Sequence, residues 1–230
     1  MYTLTNPLKI AVFFSGGASA IKYLQKHDPN FGKTYTIVAG ISDTPDASGI
    51  AYVRDELGIE TKVFNLREFY REHKVPMTNL AVRDAYYEKI VAVLLPLQPD
   101  LIMLSGFMAI ITPALLMPFA HRIINVHPAD LRITELCGEH RHRPRYAGAH
   151  AVEKALASGE QRLRSTIHFV ITDVDCGRII CVSDPYPVDK NKSAHEHQEA
   201  MKDACDGPAY RTALEKICSG EVKLGATKYV

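Results

Sequence analysis

Apolar runs and helical stripes alternate along the first half of the chain. Leu8 to Phe14 is short, apolar and rich in β-favouring residues, the pattern of a strand buried on both faces. A helical stretch follows to about His27. Thr34 to Ile41 reads as a second strand, Ala47 to Leu57 as a helix stopped by Gly58, and Thr61 to Phe64 as a short third strand. Leu66 to Asn79 is polar and irregular, which predicts a loop with a short helix. Leu80 to Leu95 has apolar residues at helical spacing, and Pro96 is expected to end it. Leu101 to Leu104 is a fourth buried strand. Thr112-Pro113 predicts a helix start with Thr as N-cap, and His121 to Val126 a fifth strand. Strands alternating with helices imply an α/β fold: a mostly parallel, twisted sheet with helices on both faces.

The alternation lapses at Asp130 to Tyr146, which is dense in Arg and His and has no apolar period. A solvated surface loop is the plain expectation there. Ala151 to Ser158 reads as a helix. Leu163 to Thr172 alternates polar and apolar residues, which predicts a half-buried strand. Arg178 to Val182 is its expected neighbour in a more antiparallel part of the sheet. Ala194 to Cys218 predicts a long helix interrupted near Gly207-Pro208. No repeat, low-complexity tract or linker divides the chain. A single domain over 1–230 is expected, with an N-terminal half at about 8–126 and a C-terminal half at about 127–230.

Charge and composition narrow the function. The net charge of +1 supplies no global field for nucleic acid or an anionic membrane, so any anion site must be local. No run reaches the roughly 18 apolar residues that span a bilayer. The opening residues lack the basic and apolar regions of a signal peptide. The five cysteines form no CxxC pair, and reduced thiols in the cytoplasm are expected.

Candidate chemistry gathers at Asn125-Val126-His127-Pro128. On an extended backbone, residues two apart point to the same side, so Asn125 and His127 emerge together at a strand's carboxyl end. That is where open α/β sheets place ligands. A carboxamide donor beside an imidazole can stabilise an oxyanion and move a proton. Upstream, strand, Ser15-Gly16-Gly17-Ala18-Ser19 and helix start follow in the order that presents backbone N–H groups to an anion. Cys137, His140 and His142 would need a fourth zinc ligand that no familiar spacing offers, so no metal is expected. Arg141, Arg143 and Arg145, close in sequence to the Asn/His strand, suit an anionic substrate.

The ordered set Ser-Gly-Gly (15–17), Ser-Gly-Phe-Met (105–108), Asn-Val-His-Pro (125–128), Tyr-Ala-Gly-Ala-His (146–150) and His-Phe-Val-Ile-Thr-Asp-Val-Asp-Cys-Gly (168–177) resembles the folate-dependent formyltransferases, above all those that formylate glycinamide ribonucleotide. The likeness covers roughly Leu8 to Val182. It implies the Rossmann-like formyltransferase fold and a catalytic set of Asn125, His127 and Asp175. It implies 10-formyltetrahydrofolate as co-substrate, without a metal. The pterin pocket would be walled by Phe107, Met108, Ala109, Ile110 and Ile111, and by Ile171, Thr172 and Asp173 up to Asp175. The acceptor would be a small anionic amine, by default glycinamide ribonucleotide of purine biosynthesis. Asn125 and protonated His127 would stabilise the tetrahedral oxyanion. Asp175 would raise the imidazole's pKa and accept the amine's proton. No nucleic acid or membrane partner is implied, and the protein is expected to be a monomer or homodimer.

The sequence also departs from the family's pattern. Ser-Gly-x-Gly-Ser-Asn is the usual first loop; here Ala18-Ser19-Ala20 closes it. Ala129-Asp130-Leu131 replaces Ser-Leu-Leu after the His-Pro pair, and about a dozen residues are inserted before Tyr146. Ala109 stands where the family tends to have Arg. Arg141, Arg143 and Arg145 are expected to replace the lost phosphate contacts. Three alternatives stay open. A formyltetrahydrofolate deformylase would use water, though that family usually carries a regulatory domain before this core and few residues precede Leu8. A formyltransferase for another amine usually adds a C-terminal domain, for which the residues after Val182 are few. A non-catalytic folate-binding relative would keep only the pocket.

Overall fold

The computed structural model describes residues 6–138 and 141–225. In chain order the first half runs β1 (Leu8–Phe14), α1 (Ser19–His27), β2 (Tyr35–Ser42), α2 (Gly49–Ala51), β3 (Thr61–Val63), α3 (Leu66–Glu72), α4 (Leu80–Leu97), β4 (Leu101–Leu104), α5 (Pro113–Leu116) and β5 (Ile123–His127). The second half runs β6 (Thr134–Cys137), β7 (Arg141–Pro144), α6 (Ala151–Ala157), β8 (Arg162–Leu163), β9 (Thr166–Phe169), β10 (Ile179–Val182), β11 (Tyr186–Pro187), α7 (Ala194–Met201) and α8 (Gly207–Cys218).

Seven strands form one sheet in the order β10-β9-β5-β4-β1-β2-β3. The five from β3 to β5 are parallel. Strand β9 then pairs antiparallel with β5, and β10 antiparallel with β9. The sheet therefore carries strands from both halves of the chain, in a Rossmann-like arrangement. Along β1 alternate residues enter two cores. Leu8, Ile10, Val12 and Phe14 join the one shared with α1 and α8, while Ala11 and Phe13 join the one shared with α3 and α4. Burial on both faces explains the continuous apolar run, since each such large side chain contributes about 1.5–3 kcal/mol.

The strand order turns back between β1 and β4, and there the carboxyl ends are tied together. Ser105 N–H donates to the Phe13 carbonyl at 2.8 Å, and Ser15 N–H to the Gly106 carbonyl at 3.3 Å. Such a switch point opens a crevice beyond the strand ends.

Several expectations need correction. The helix expected over Ala47 to Leu57 begins at Gly49 and widens into a π-helical turn over Tyr52–Glu56. Helix α4 runs through Pro96 to Leu97, because Gln98 in the left-handed region caps it by donating to the Leu94 and Leu95 carbonyls. Thr112 starts α5 without a side-chain cap. Strand β9 is buried at all four positions rather than half-buried, because Ile167 and Phe169 join the core shared with α8 while Asp175 of the following loop lies against His168 on the other face. The irregular stretch after Asp130 holds a β-hairpin, β6 against β7, with Glu135 opposite Arg143 and Cys137 opposite Arg141. The long C-terminal helix breaks where expected, with a π-helical turn over Lys202–Asp206 leading into Gly207.

Candidate active site

Strand β5 delivers Asn125 and His127 to one side of the sheet. Antiparallel pairing sets Asn125 opposite His168 and His127 opposite Thr166, so these four side chains share a face. It is the α4 face, because Ile123 of β5 joins that core while Ile124 and Ile167 join the other. Thr166 fixes the exit from β5. Its hydroxyl donates to the Ala129 carbonyl at 2.7 Å and accepts from Leu131 N–H at 3.1 Å.

The loop between β9 and β10 folds back over this face. Asp175 adopts φ +55°, and a Cβ on Gly177 would lie 1.7 Å from the Phe169 carbonyl oxygen, so only glycine permits the return. Asp175 thereby meets three partners. Gly148 N–H donates to its Oδ2 at 2.7 Å. His127 Nδ1 lies 3.2 Å from the same oxygen, and His168 Nε2 lies 3.4 Å from Oδ1. The last distance is too long for a strong hydrogen bond. Solvent reaches little of the cluster: the side chains of His127, Asp175 and His168 are 6%, 9% and 2% exposed.

Counting protons shows what this cluster can do. His127 Nε2 lies 2.7 Å from the Tyr146 carbonyl, and His168 Nδ1 lies 3.0 Å from the Phe169 carbonyl. Each ring therefore faces two acceptors, a carbonyl and the carboxylate. A neutral imidazole has one N–H and satisfies only one of them. With both rings neutral and Asp175 ionised, the cluster lacks protons and has room to take one up.

Electrostatics points the same way. Burial is the largest influence on His127 and holds its pKa below the ordinary imidazole value; Asp175 and the Tyr146 carbonyl pull upward without prevailing. Asp175 thus pulls the imidazole upward, while burial sets the net direction. For Asp175, burial pushes up but is outweighed by contact with His168, the nearness of His127 and the Gly148 N–H, leaving the carboxyl below its ordinary range.

The other candidates fall into three places. Ser15 is half-buried, and its hydroxyl accepts from Met108 N–H at 3.2 Å, which ties the glycine loop to the 107–111 segment. Gly16 and Gly17 are exposed, Ser19 is half-buried, and Ala18 caps α1 in the left-handed conformation with φ 52°. Along 107–111, Phe107 and Ile111 are core residues, Phe107 standing edge-on to Phe13 at 5.4 Å. Ala109 packs on that core, while Met108 and Ile110 are 75% and 55% exposed. Val170, which precedes Ile171, Thr172 and Asp173, packs against the same core. Phe107 and Ile111 thus support the wall from behind, leaving the surface to Met108 and Ile110. Arg141, Arg143 and Arg145 are exposed on and after the hairpin, with Arg143 paired to Glu135 at 2.9 Å and Arg145 over the Tyr146 ring. His140 lies outside the described residues. Among those described, no group of three or more His, Cys, Asp or Glu could hold a metal. Tyr146, Gly148 and Thr166 were not named as site residues from the sequence, although the first two lie in the Tyr-Ala-Gly-Ala-His motif. These two act through backbone atoms, so the motif marks the segment but not the role.

The profile of the formyl transferase family matches residues 8–213. The chain belongs to this family. It is 29% identical over 219 residues to the human trifunctional purine biosynthetic protein adenosine-3, covering 94% of this chain and 19% of that protein. It thus spans about a fifth of the length of its trifunctional relatives. It is 27% identical to phosphoribosylglycinamide formyltransferase of Escherichia coli K12, over 75% of this chain and 70% of that one. Among solved structures, phosphoribosylglycinamide formyltransferase from Brucella melitensis superposes with TM-score 0.73 at 28% identity, covering 96% of this chain and 100% of that one. A formyltetrahydrofolate deformylase from Pseudomonas syringae superposes with TM-score 0.72 at 17% identity, a likeness of fold alone. No helix among the described residues is long and apolar enough to cross a membrane.

Proposed function

We propose that this protein transfers a formyl group from 10-formyltetrahydrofolate to a small anionic amine, by default glycinamide ribonucleotide in purine biosynthesis. The proton-poor cluster of His127, Asp175 and His168 beside Asn125 carries the reading. The amine nitrogen attacks the formyl carbon and the carbonyl oxygen becomes an oxyanion. The Asn125 NH2 donates to that oxygen. The His127–Asp175 pair takes the proton the amine loses, and the same proton can be returned to the folate nitrogen as it departs. His168 and the Gly148 N–H hold the carboxylate in place. The pterin lies between the 107–111 segment and the 171–175 loop. The acceptor's anionic end meets the N–H groups where Ser15 to Ser19 opens α1. The names of the relatives, which describe formyl transfer to phosphoribosylglycinamide, agree with this acceptor.

The test is an acceptor screen with 10-formyltetrahydrofolate, following tetrahydrofolate by absorbance. Release that depends on glycinamide ribonucleotide is expected. Formate release without any amine would make the protein a deformylase. Folate binding without turnover on any amine would reject catalysis.

A further inference from the structure

Three successive residues hold the catalytic cluster through their backbones. The Tyr146 carbonyl faces His127 Nε2 at 2.7 Å, and Gly148 N–H donates to Asp175 Oδ2 at 2.7 Å. Between them, the Ala147 carbonyl accepts from Lys154 Nζ at 2.9 Å. Lys154 belongs to α6, which packs through Ala151, Val152 and Ala155 on a small core that includes Tyr146 and Ala129. The chain after α6 supplies a second tie, because the Tyr146 hydroxyl donates to Glu160 at 2.7 Å. The segment that grips the two reacting groups is thus fixed by two side chains, one on α6 and one just beyond it.

The charge of Lys154 is not cancelled locally. The side chain is exposed, and among the described residues it makes no ion pair; its neighbour Glu153 pairs with His150 at 2.7 Å. The titratable groups that face His127 are Asp175 from the β9–β10 loop, His168 from β9 and Lys154 from α6. Burial is the largest influence and disfavours the imidazolium. Asp175 and the Tyr146 carbonyl favour it, and His168 and Lys154 oppose it.

Resting on the formyl-transfer reading above, we propose that Lys154 is a positioning residue for the reaction: its ammonium clamps the Ala147 carbonyl and so holds the Tyr146 and Gly148 backbone groups against His127 and Asp175. It acts through that backbone and through its charge, not on the reacting atoms. The cation that fixes the geometry also keeps the imidazole free to take the amine's proton.

The test replaces Lys154 by Met, which keeps length without charge or N–H, and by Arg, which keeps both. In Lys154→Met, kcat should fall about fivefold, the equivalent of one hydrogen bond, with both KM values within about twofold of the wild type. Because Tyr146 stays bonded to Glu160, the segment is loosened rather than released, and the lost charge sets the direction of titration. The His127 ring, followed by NMR, should protonate about half a unit higher than in the wild type, and the acid limb of kcat/KM should move to higher pH. Salt at about 1 M should bring the wild type most of the way to the variant's value and leave the variant nearly unmoved, since the ammonium is exposed. Lys154→Arg should restore both rate and titration. A His127 titration that stays or moves downward in Lys154→Met, a loss confined to KM, or no restoration by Arg would overturn the proposal. The titration needs no turnover and judges the clamp by itself; a wild type inactive on every amine would reject the formyl-transfer reading instead.

Discussion

Asp175→Asn removes one charge and nearly preserves shape. Asp175 Oδ2 lies 3.2 Å from His127 Nδ1. At that separation two unit charges interact by about 5 kcal/mol with an effective dielectric near 20. Water and neighbouring dipoles leave part of this; an adjacent opposite charge shifts a pKa by about 1–3 units, or about 1.4–4 kcal/mol. Burial already holds His127 below its ordinary value while the carboxylate pulls upward. Losing the carboxylate therefore lowers the imidazole further. In an NMR titration, the His127 ring of the variant should protonate at least about one unit lower than in the wild type. The rate should respond in two ways. At neutral pH kcat/KM should fall about 100-fold or more, the scale of a lost proton acceptor. The acid limb of its pH profile, set by protonation of His127, should move to lower pH. Stability adds a check on sign. Asp175 has its folded pKa depressed, so its contribution is present above the ordinary carboxylate value and lost as pH falls below it. The variant's unfolding free energy should therefore depend less on pH in that acid window. A His127 titration that moves upward, or a rate loss with the acid limb unmoved, would refute the coupling.

Three further outcomes follow from the same geometry. Asn125→Ala removes the carboxamide donor and should lower kcat by about 10²–10³-fold while tetrahydrofolate still binds, measured by steady-state kinetics and calorimetry. Gly177→Ala places a methyl group against the Phe169 carbonyl; denaturant unfolding should show a loss of about 2 kcal/mol or more, with the Asp175 loop displaced. Burial raises the Asp206 carboxyl to about 6 against the Ser165 hydroxyl that donates to it at 2.5 Å. A raised folded-state value favours the protonated form, so wild-type stability declines as pH climbs from the ordinary carboxylate value of 3.8 through about 6. Asp206→Asn should therefore gain about 3 kcal/mol over the wild type at pH 8 and nothing at pH 4, read by thermal unfolding.

The parallel half of the sheet was legible because strands covered on both faces must be apolar throughout, and Leu8–Phe14 and Leu101–Leu104 are. Strand β9 was misjudged for an instructive reason. Thr166 and His168 alternate with apolar residues, which ordinarily means that one face meets water. Here that face meets the reacting groups instead. Thr166 spends its hydroxyl on the Ala129 and Leu131 backbone, and His168 faces Asp175. Polar alternation in a buried strand thus marks a site rather than a surface. The hairpin was missed because its strands are short and exposed, so no apolar period betrays them. What holds it is the cross-strand pair of Glu135 and Arg143 and the anchoring of both its ends.

Site residues divide by the kind of atom they use. Asn125, His127 and Asp175 act through side chains of unusual chemistry at a strand end and in a turn, and a motif can point to them. The Tyr146 carbonyl and the Gly148 N–H act through groups that every residue but proline carries in full, so only the path of the chain reveals them. Yet these two decide how the side chains behave. The carbonyl occupies His127 Nε2 at 2.7 Å and so directs the ring's remaining nitrogen to Asp175. The N–H helps keep Asp175 ionised beside it. The net direction of the His127 shift has the same origin. A sequence can announce the carboxylate that pulls the imidazole upward, but the stronger opposing effect is burial, which arises only when the 170–177 loop and the 146–148 segment close over the sheet.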